Sequence, residues 1–184
     1  LLVLIFTIES GSIKSIGASQ YDNLCVKYYR EKKFDEAIKY GQKAVEKDPD
    51  NFGYLYNLAI AYVQKKEKVD KAMALLEKVI EINPAYPEAH YNLGIIYGDK
   101  GWVDREIEEF KKAVSIDENL PDAHYCLGLA YKKKGLNDEA ISSLKKSILL
   151  YPPEDPWRDQ AIEILSEMEK ENLQHPVLSE NQRN

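Results

Sequence analysis

The feature that most constrains this chain is a repeat of 34 or 35 residues. The stretch "NPAYPEAHYNLGIIYGDKG" at residues 83–101 returns in similar form as "ENLPDAHYCLGLAYKKKG" at residues 118–135. Extending that alignment in both directions divides most of the chain into four copies, which span residues 18–51, 52–86, 87–120 and 121–154. A period of this length predicts a repeat architecture, in which each copy is one supersecondary unit that stacks on its neighbours.

Corresponding positions of the copies hold similar residue types. One position is always leucine, as Leu24, Leu58, Leu93 and Leu127. The next position holds a small residue, namely Cys25, Ala59, Gly94 and Gly128. Three residues further on comes a tyrosine, as Tyr28, Tyr62, Tyr97 and Tyr131. Four copies in one phase make this a strong repeat signal.

The pattern within each copy predicts two helices. In the third copy, Leu93, Tyr97 and Phe110 fall at helical spacing with polar residues between them. Gly101 interrupts the pattern between the two halves. Pro87 begins the copy and suits the first turn of a helix, where its missing N–H costs nothing.

This pattern resembles the tetratricopeptide repeat, whose mark is an aromatic residue, then Leu-Gly, then Tyr, and later Ala, a large apolar residue and Pro. The resemblance covers residues 18–154, about three-quarters of the chain. It implies an all-α fold, a right-handed superhelical solenoid of stacked helix-turn-helix repeats. Stacking is also what the physics requires, because one helical hairpin cannot bury its apolar stripe alone.

The sequence after the last copy predicts a helix that caps the solenoid, over residues 155–174. Asp155 suits the N-cap and Pro156 the first helical position. One apolar face is predicted to close the last repeat, formed by Trp157, Ala161, Ile164, Leu165 and Met168. Residues 175–184 are polar and predict a flexible tail.

Two positions depart from the repeat pattern. Gly41 stands where the other copies hold a large apolar residue, which predicts a first hairpin that packs poorly or leans on the N-terminal segment. Glu106 stands where the other copies hold alanine, and a carboxylate in close helix packing is costly unless it is paired or reaches water. Either a local shift exposes Glu106, with Arg105 or Lys100 to compensate its charge, or Glu106 contacts a partner.

Composition and motifs argue against an enzyme or a nucleic-acid-binding protein. The formal charge is −6, so a basic footprint for nucleic acid is not expected. No glycine-rich phosphate loop or nucleophile elbow occurs, and Cys25 and Cys126 have no metal-ligand spacing. His90 and His124 recur 34 residues apart but occupy the aromatic packing position of the repeat. The sequence therefore predicts no catalytic residue, no metal, no cofactor and no small-molecule substrate.

The resemblance and the helical phase together predict a partner-binding groove. In a curved solenoid of helix pairs, the first helix of each pair lines the concave face. The residues beside the core leucine of each first helix then face the groove, and they are rich in asparagine, tyrosine and aliphatic side chains. The predicted groove residues are Asn23, Val26, Tyr56, Asn57, Ile60, Tyr91, Asn92, Ile95, Tyr125 and Leu129, with Lys132 and Lys133 at the far end.

These residue types suit a peptide ligand. Asparagine offers a donor and an acceptor to a peptide backbone, and tyrosine offers a large contact area with a hydroxyl. The family resemblance implies that peptides or helices of partner proteins bind on this face, and the lysines add positive charge for an acidic stretch. The alternative is that Tyr-Asn at this position reflects ancestry in the family and not a tuned site.

The chain opens on "LLVLIFTI", which is far too short to span a bilayer as a helix. Its length suits the apolar core of a secretory signal, which would place the protein in a periplasm-like lumen or at a membrane surface. The alternatives for residues 1–17 are a segment that docks on a partner and a misassigned start, and without export the protein would be cytoplasmic. Membrane contact is expected only through this segment, if it is retained.

The function predicted from the sequence is a non-catalytic protein-interaction scaffold that helps to organise a multiprotein assembly. The alternative is a structural subunit that associates with itself into rings, filaments or tubes, because a head-to-tail contact that does not close propagates. An enzyme is the third possibility, and it would require a cleft with convergent acids or histidines.

Overall fold

In the computed structural model, the first helix of each repeat begins at the first residue of a sequence copy. The structure describes residues 17–65 and 68–174, and the regular structure within these ranges is helical. The helices are α1 (Ala18–Arg30), α2 (Phe34–Lys47), α3 (Phe52–Val63), α4 (Val69–Ile82), α5 (Pro87–Asp99), α6 (Val103–Ile116), α7 (Pro121–Lys134), α8 (Asn137–Leu150) and α9 (Pro156–Gln174).

Proline and glycine set the helix boundaries by local geometry. Pro87 and Pro121 occupy the first turns of α5 and α7, where the missing N–H would have no partner in any case. Gly101 and Gly135 follow these helices with φ of 75° and 79°, a left-handed conformation that glycine adopts without a Cβ penalty. Lys32 takes a φ of 58° at the corresponding place of the first repeat, which is uncommon for a residue with a side chain.

The helices stack in chain order. Each packs mainly on its sequence neighbours, from α1 on α2 through to α8 on α9. The first helices of neighbouring repeats also contact each other: α1 contacts α3, and α5 contacts α7. Contacts between neighbours along one direction define a solenoid, so the all-α solenoid of helical repeats predicted from the sequence is confirmed.

A large side chain of the second helix packs against a small residue of the first helix in the same repeat. A Cβ added to Gly94 would lie 2.7 Å from the Phe110 ring. A Cβ added to Gly128 would lie 2.8 Å from Cγ of Leu144. The small position therefore lets the two helices approach closely enough to bury the large side chain.

The first repeat inverts this arrangement. Gly41 stands in the large position, and a Cβ added to it would lie 3.0 Å from Sγ of Cys25 and 3.1 Å from Cδ1 of Leu58. Cys25 is 1% exposed and fills the space from the small position of the same repeat, while Leu58 reaches it from the next repeat. The prediction of a poorly packed first hairpin is therefore wrong.

We expect Gly94→Ala to destabilise the protein in its own background and to stabilise it in a Phe110→Ala background. Overpacking against the Phe110 ring costs about 1–3 kcal/mol, which outweighs the gain of up to about 1 kcal/mol from replacing a helical glycine. The three atoms nearest to the added Cβ all belong to the Phe110 ring, so the alanine background removes the clash. Urea unfolding gives the free energy of unfolding of the natural protein, the two single variants and the double variant. If Gly94→Ala changes that free energy in the same direction in both backgrounds, the clash with Phe110 is contradicted.

Glu106 keeps the register of the other copies and is enclosed. Its side chain is 13% exposed, and its carboxylate lies over Gly98, where an added Cβ would be 2.6 Å from Oε1. Nζ of Lys133 lies 3.5 Å from Oε2, and that oxygen accepts no hydrogen bond from the part of the chain that the structure describes. The predicted exposure of Glu106 is wrong because Gly98 leaves room for it, and its cation is Lys133, not Arg105 or Lys100.

A periodic set of ion pairs joins neighbouring repeats. A lysine at the end of one first helix contacts the aspartate that begins the second helix of the preceding repeat. The pairs are Lys65–Asp35 (2.9 Å), Lys100–Asp70 (2.7 Å) and Lys134–Asp104 (2.6 Å). The aspartates are largely exposed, so each pair contributes little stability. Their recurrence shows that all three junctions share one geometry.

Helix α9 covers the last repeat. It packs on α8, and its Ala161 and Met168 are buried. The ring of Trp157 lies 5.7 Å from the ring of Tyr125. The apolar face predicted for this helix therefore closes the end of the core.

The two terminal predictions concern residues that the structure does not describe. The apolar segment 1–17, apart from Gly17, and the flexible tail 175–184 lie outside the described residues. Among the helices of the described ranges, none combines the length and the apolar character needed to cross a membrane.

Candidate functional site: the concave groove

The groove predicted from the sequence follows the first helices α1, α3, α5 and α7, and a recurring contact joins neighbouring helices of this set. The donor of each contact is the sixth residue of its sequence copy, and the acceptor is the fifth residue of the preceding copy. The three contacts, which we call the rungs, are Asn57 to Asp22 (3.0 Å), Asn92 to Tyr56 (3.2 Å) and Cys126 to Tyr91 (4.0 Å). The rungs fix side chains that the sequence predicted to be free for a partner.

The asparagines of the groove use their amide nitrogens within the protein. Nδ2 of Asn57 donates to both carboxylate oxygens of Asp22, and Nδ2 of Asn92 donates to the Tyr56 hydroxyl and to the carbonyl oxygen of Glu88 at 2.8 Å. What these side chains offer a partner is therefore the carbonyl oxygen. The groove presents acceptors where the sequence predicted donors and acceptors together.

A small cavity of about 200 Å³ opens into the groove beside the start of α7. The phenol rings of Tyr56 and Tyr91 and the side chain of Asn92 form part of its wall, together with the carboxylates of Glu88 and Asp122. Aromatic faces and carboxylates both attract cations and N–H donors. The cavity is therefore suited to a donor or cationic group of a bound segment.

Burial sets the protonation of the groove. It raises the pKa of the Tyr56 and Tyr91 hydroxyls well above the usual range for tyrosine, and neighbouring groups add to the shift. Burial also raises the pKa of the Cys126 thiol to about 11. These groups are therefore neutral near pH 7, and a protonated thiol is a poor nucleophile. Burial raises the pKa of Asp22 as well, and the hydrogen bond from Asn57 opposes that shift.

The other predicted groove residues divide into three groups. Asn23 is exposed, and an aliphatic stripe is half-buried, formed by Val26, Ile60, Ile95 and Leu129. Tyr125 is 6% exposed and lies under Trp157, so α9 removes it from the surface that a partner can reach.

The two groove lysines have partners within the chain. Nζ of Lys132 lies 4.0 Å from Glu167, and Nζ of Lys133 lies 3.5 Å from Glu106. Their positive charge is compensated, whereas no cation is paired with Glu88 or Asp122 within the described ranges. The groove therefore has unpaired carboxylates at the starts of α5 and α7, while each lysine at the end of α7 has a glutamate nearby.

The structure places His90 inside the third hairpin, with 4% of its surface exposed. Nδ1 lies 2.6 Å from Oε2 of Glu109, and Nε2 lies 3.1 Å from the carbonyl oxygen of Pro84. Oε1 of Glu109 accepts a further hydrogen bond from Lys112 at 2.9 Å. Sequence reasoning did not identify Glu109 as the partner of this histidine, although both residues depart from their counterparts in the first two copies.

His124 is half-exposed, unlike His90. Its Nε2 lies 3.1 Å from the carbonyl oxygen of Glu118. It lines a second cavity, of about 760 Å³, whose other lining residues lie on α6, α7 and α8 or in the turn after α6. Within residues 17–65 and 68–174, no group of three or more His, Cys, Asp and Glu side chains is arranged to hold a metal ion.

Known families and solved structures match most of the described chain. Sequence models of the tetratricopeptide repeat match residues 18–51, 40–74 and 87–120. A further model, described as TPR repeat, matches residues 65–101 and 107–135.

The chain is also similar to solved structures of other proteins. A crystal structure of MamA shares 32% identity, covers 72% of this chain and 77% of its own, and gives a TM-score of 0.67. A second MamA crystal structure shares 22% identity over 91% of this chain and 98% of its own, with a TM-score of 0.68. A thermophilic TPR protein of Thermus thermophilus shares 21% identity over 81% of each chain, with a TM-score of 0.69.

Proposed function

Because this chain belongs to the tetratricopeptide repeat family, we propose that it is a non-catalytic scaffold that binds a segment of a partner protein in its concave groove and helps to organise a multiprotein assembly. The observation that carries this proposal is the continuity of two surfaces. The aliphatic stripe formed by Val26, Ile60, Ile95 and Leu129 runs along the same helices as the cavity between Tyr56 and Tyr91.

The chemistry of the groove favours a particular kind of segment. Carboxylates and asparagine oxygens accept hydrogen bonds, while the aliphatic stripe offers apolar burial. A segment that carries apolar side chains and exposes N–H donors or basic side chains matches both properties. The rungs hold the groove side chains in place before binding, which reduces the entropy lost on association.

We expect Ile60→Lys combined with Ile95→Lys to abolish partner binding without unfolding the protein. Both side chains are half-buried at the groove surface, so a lysine there can extend into water while it blocks apolar contact. The tagged protein, the groove variant and a Leu149→Lys control are purified from the native cells, and co-purified proteins are quantified by mass spectrometry. Leu149 lies on α8 and is 81% exposed, so the control adds a lysine away from the groove.

A partner recovered with the natural protein and the control, and reduced at least about 10-fold with the groove variant, would support the proposal, since that factor corresponds to about 1.4 kcal/mol. Equal recovery with all three proteins would contradict it. Thermal unfolding of each variant is measured first, so that loss of binding is separated from loss of folding.

The alternative is a self-associating structural subunit. It is favoured by apolar side chains that α9 leaves at the end of the solenoid, where Trp157 is 52% and Ile162 is 40% exposed. Recovery of the tagged protein alone, as a large species, would favour this alternative over a scaffold for other proteins.

A further inference from the structure

Each hairpin fills the same site between its two helices with a different pair of side chains. The first position of the pair holds Tyr21, Leu55, His90 and His124 in the four copies, and the second holds Tyr40, Leu75, Glu109 and Ser143. In the first repeat the two rings stack, with centroids 6.3 Å apart. In the second repeat Leu55 belongs to the main core cluster and Leu75, which is partly buried, packs against it. The third and fourth repeats replace these apolar pairs with polar ones.

In the third repeat the site holds a complete triad of His90, Glu109 and Lys112. The carboxylate of Glu109 lies between His90 Nδ1, at 2.6 Å, and Lys112 Nζ, at 2.9 Å. Nε2 of the same histidine lies 3.1 Å from the Pro84 carbonyl oxygen. The carboxylate is 10% exposed, so its buried charge is compensated by both neighbours.

The fourth repeat keeps the outer members of this triad and lacks the carboxylate. His124 matches His90, and its Nε2 contacts the Glu118 carbonyl oxygen at the same 3.1 Å. Lys146 matches Lys112 in the sequence copies, whereas Ser143 replaces Glu109. Nδ1 of His124 has no hydrogen-bond partner in the part of the chain that the structure describes.

The space left by the shorter side chain is open to solvent. The cavity of about 760 Å³ between α6 and α8 is lined by His124, Ser143 and Lys146, and Lys111 borders it from α6. The corresponding cavity of the second repeat, bordered by Leu75 in place of Ser143, measures only about 410 Å³. The fourth repeat therefore offers the room for a carboxylate and the ammonium group of Lys146 as a donor. Burial lowers the pKa of His124, and its Nδ1 donates only when an incoming carboxylate brings a proton onto the ring.

The charges along this cavity are unevenly distributed. Lys111 and Lys146 lie at the end that holds His124, with one acid, Glu118. The other two acids, Asp138 and Glu139, lie in the first turn of α8, about 10–12 Å from Lys146 along the helix. Positive charge is therefore in excess at the end where the triad lacks its carboxylate.

We propose that the cavity between α6 and α8 binds a glutamate or aspartate side chain of an acidic segment of a partner protein. The carboxylate takes the place between His124 Nδ1 and Lys146 that Glu109 occupies between His90 and Lys112. Ser143 leaves room for it, and Lys111 adds charge complementarity. This site lies between second helices of the repeats, so it is separate from the concave groove and does not depend on the scaffold function proposed for that groove.

The first arm of the test asks whether a carboxylate fits. Ser143→Glu supplies one from within the chain, and Ser143→Gln supplies a side chain of the same shape without the charge. We expect Ser143→Glu to melt at least about 2–4 °C above Ser143→Gln near neutral pH, which corresponds to about 1 kcal/mol for a protein of this size. Equal melting temperatures, or a lower one for Ser143→Glu, would overturn the triad geometry.

The second arm asks whether a partner segment can supply the carboxylate. The imidazole resonances of the full chain are followed by NMR while a short capped peptide with a central glutamate is added at millimolar concentration. We expect the His124 signals to move and its pKa to rise, because a neighbouring carboxylate favours the charged ring. His90, whose carboxylate is already in place, serves as the internal control and should not move.

Two comparisons decide the second arm. A peptide with glutamine in place of glutamate should leave His124 unchanged, and Ser143→Glu should no longer respond to the glutamate peptide. Equal responses to the two peptides, or an undiminished response of Ser143→Glu, would overturn the proposal. If free acetate at the same concentration shifts His124 as strongly as the peptide does, the site binds small anions, and the assignment to a partner segment is wrong.

Discussion

Phe110→Ala is expected to lower the free energy of unfolding by about 3–5 kcal/mol, because deleting a buried aromatic ring removes its transfer energy and leaves a cavity. Phe110 is 1% exposed, and its ring fits against Gly94, which has no side chain that could move into the space. A loss of that size is a large part of the roughly 5–15 kcal/mol that stabilises a typical domain.

Urea unfolding followed by far-UV circular dichroism measures this loss. Leu149→Ala is the matched control, since Leu149 is 81% exposed on α8 and its truncation should change stability by less than about 0.5 kcal/mol. Similar losses for the two variants would show that Phe110 does not occupy the core between α5 and α6.

Glu109→Ala is expected to cost about 3 kcal/mol near neutral pH, the lower end of the range for breaking a buried ion pair, because the side chain of Lys112, the cation left behind, is 44% exposed and can reach water. The carboxylate bonds both His90 and Lys112, and its removal leaves His90 buried without a partner for Nδ1. Glu108→Ala is the control, because Glu108 also contacts Lys112, at 2.8 Å, but its side chain is 64% exposed. That variant should lose less than about 1 kcal/mol.

The cost of Glu109→Ala should depend on pH with a defined sign. Burial raises the pKa of Glu109, but the hydrogen bonds from His90 and Lys112 outweigh it, so the pKa lies below its usual range. A carboxyl with a lowered pKa stabilises the folded state fully above its unfolded pKa of about 4.3 and loses that contribution as pH falls through the folded value. The difference between the two proteins should therefore shrink in acid. A difference that grows below pH 4 would contradict the ionised pair.

The candidate groove was only partly predictable from the sequence. The helical phase placed Tyr56, Asn57, Tyr91 and Asn92 on the first helices, where the structure finds them. It could not show that the asparagine nitrogens are used in the rungs, because each rung joins residues about one repeat apart, at a distance that only the stacking geometry sets. It also could not show that α9 covers Tyr125.

The sequence by itself determined the number of hairpins, where their first helices begin, and the solenoid class. Those features follow from local signals, namely apolar periodicity, proline at helix starts and glycine at turns, and repetition in four copies made them unambiguous. The tertiary structure decided how each departure from the pattern is accommodated. Gly41 is covered by Cys25 and Leu58, and Glu106 is accommodated by Gly98. Each of these arrangements depends on two residues that helix packing brings together. Because protein interiors are close-packed, the size and charge tolerated at one position depend on the residue at the other.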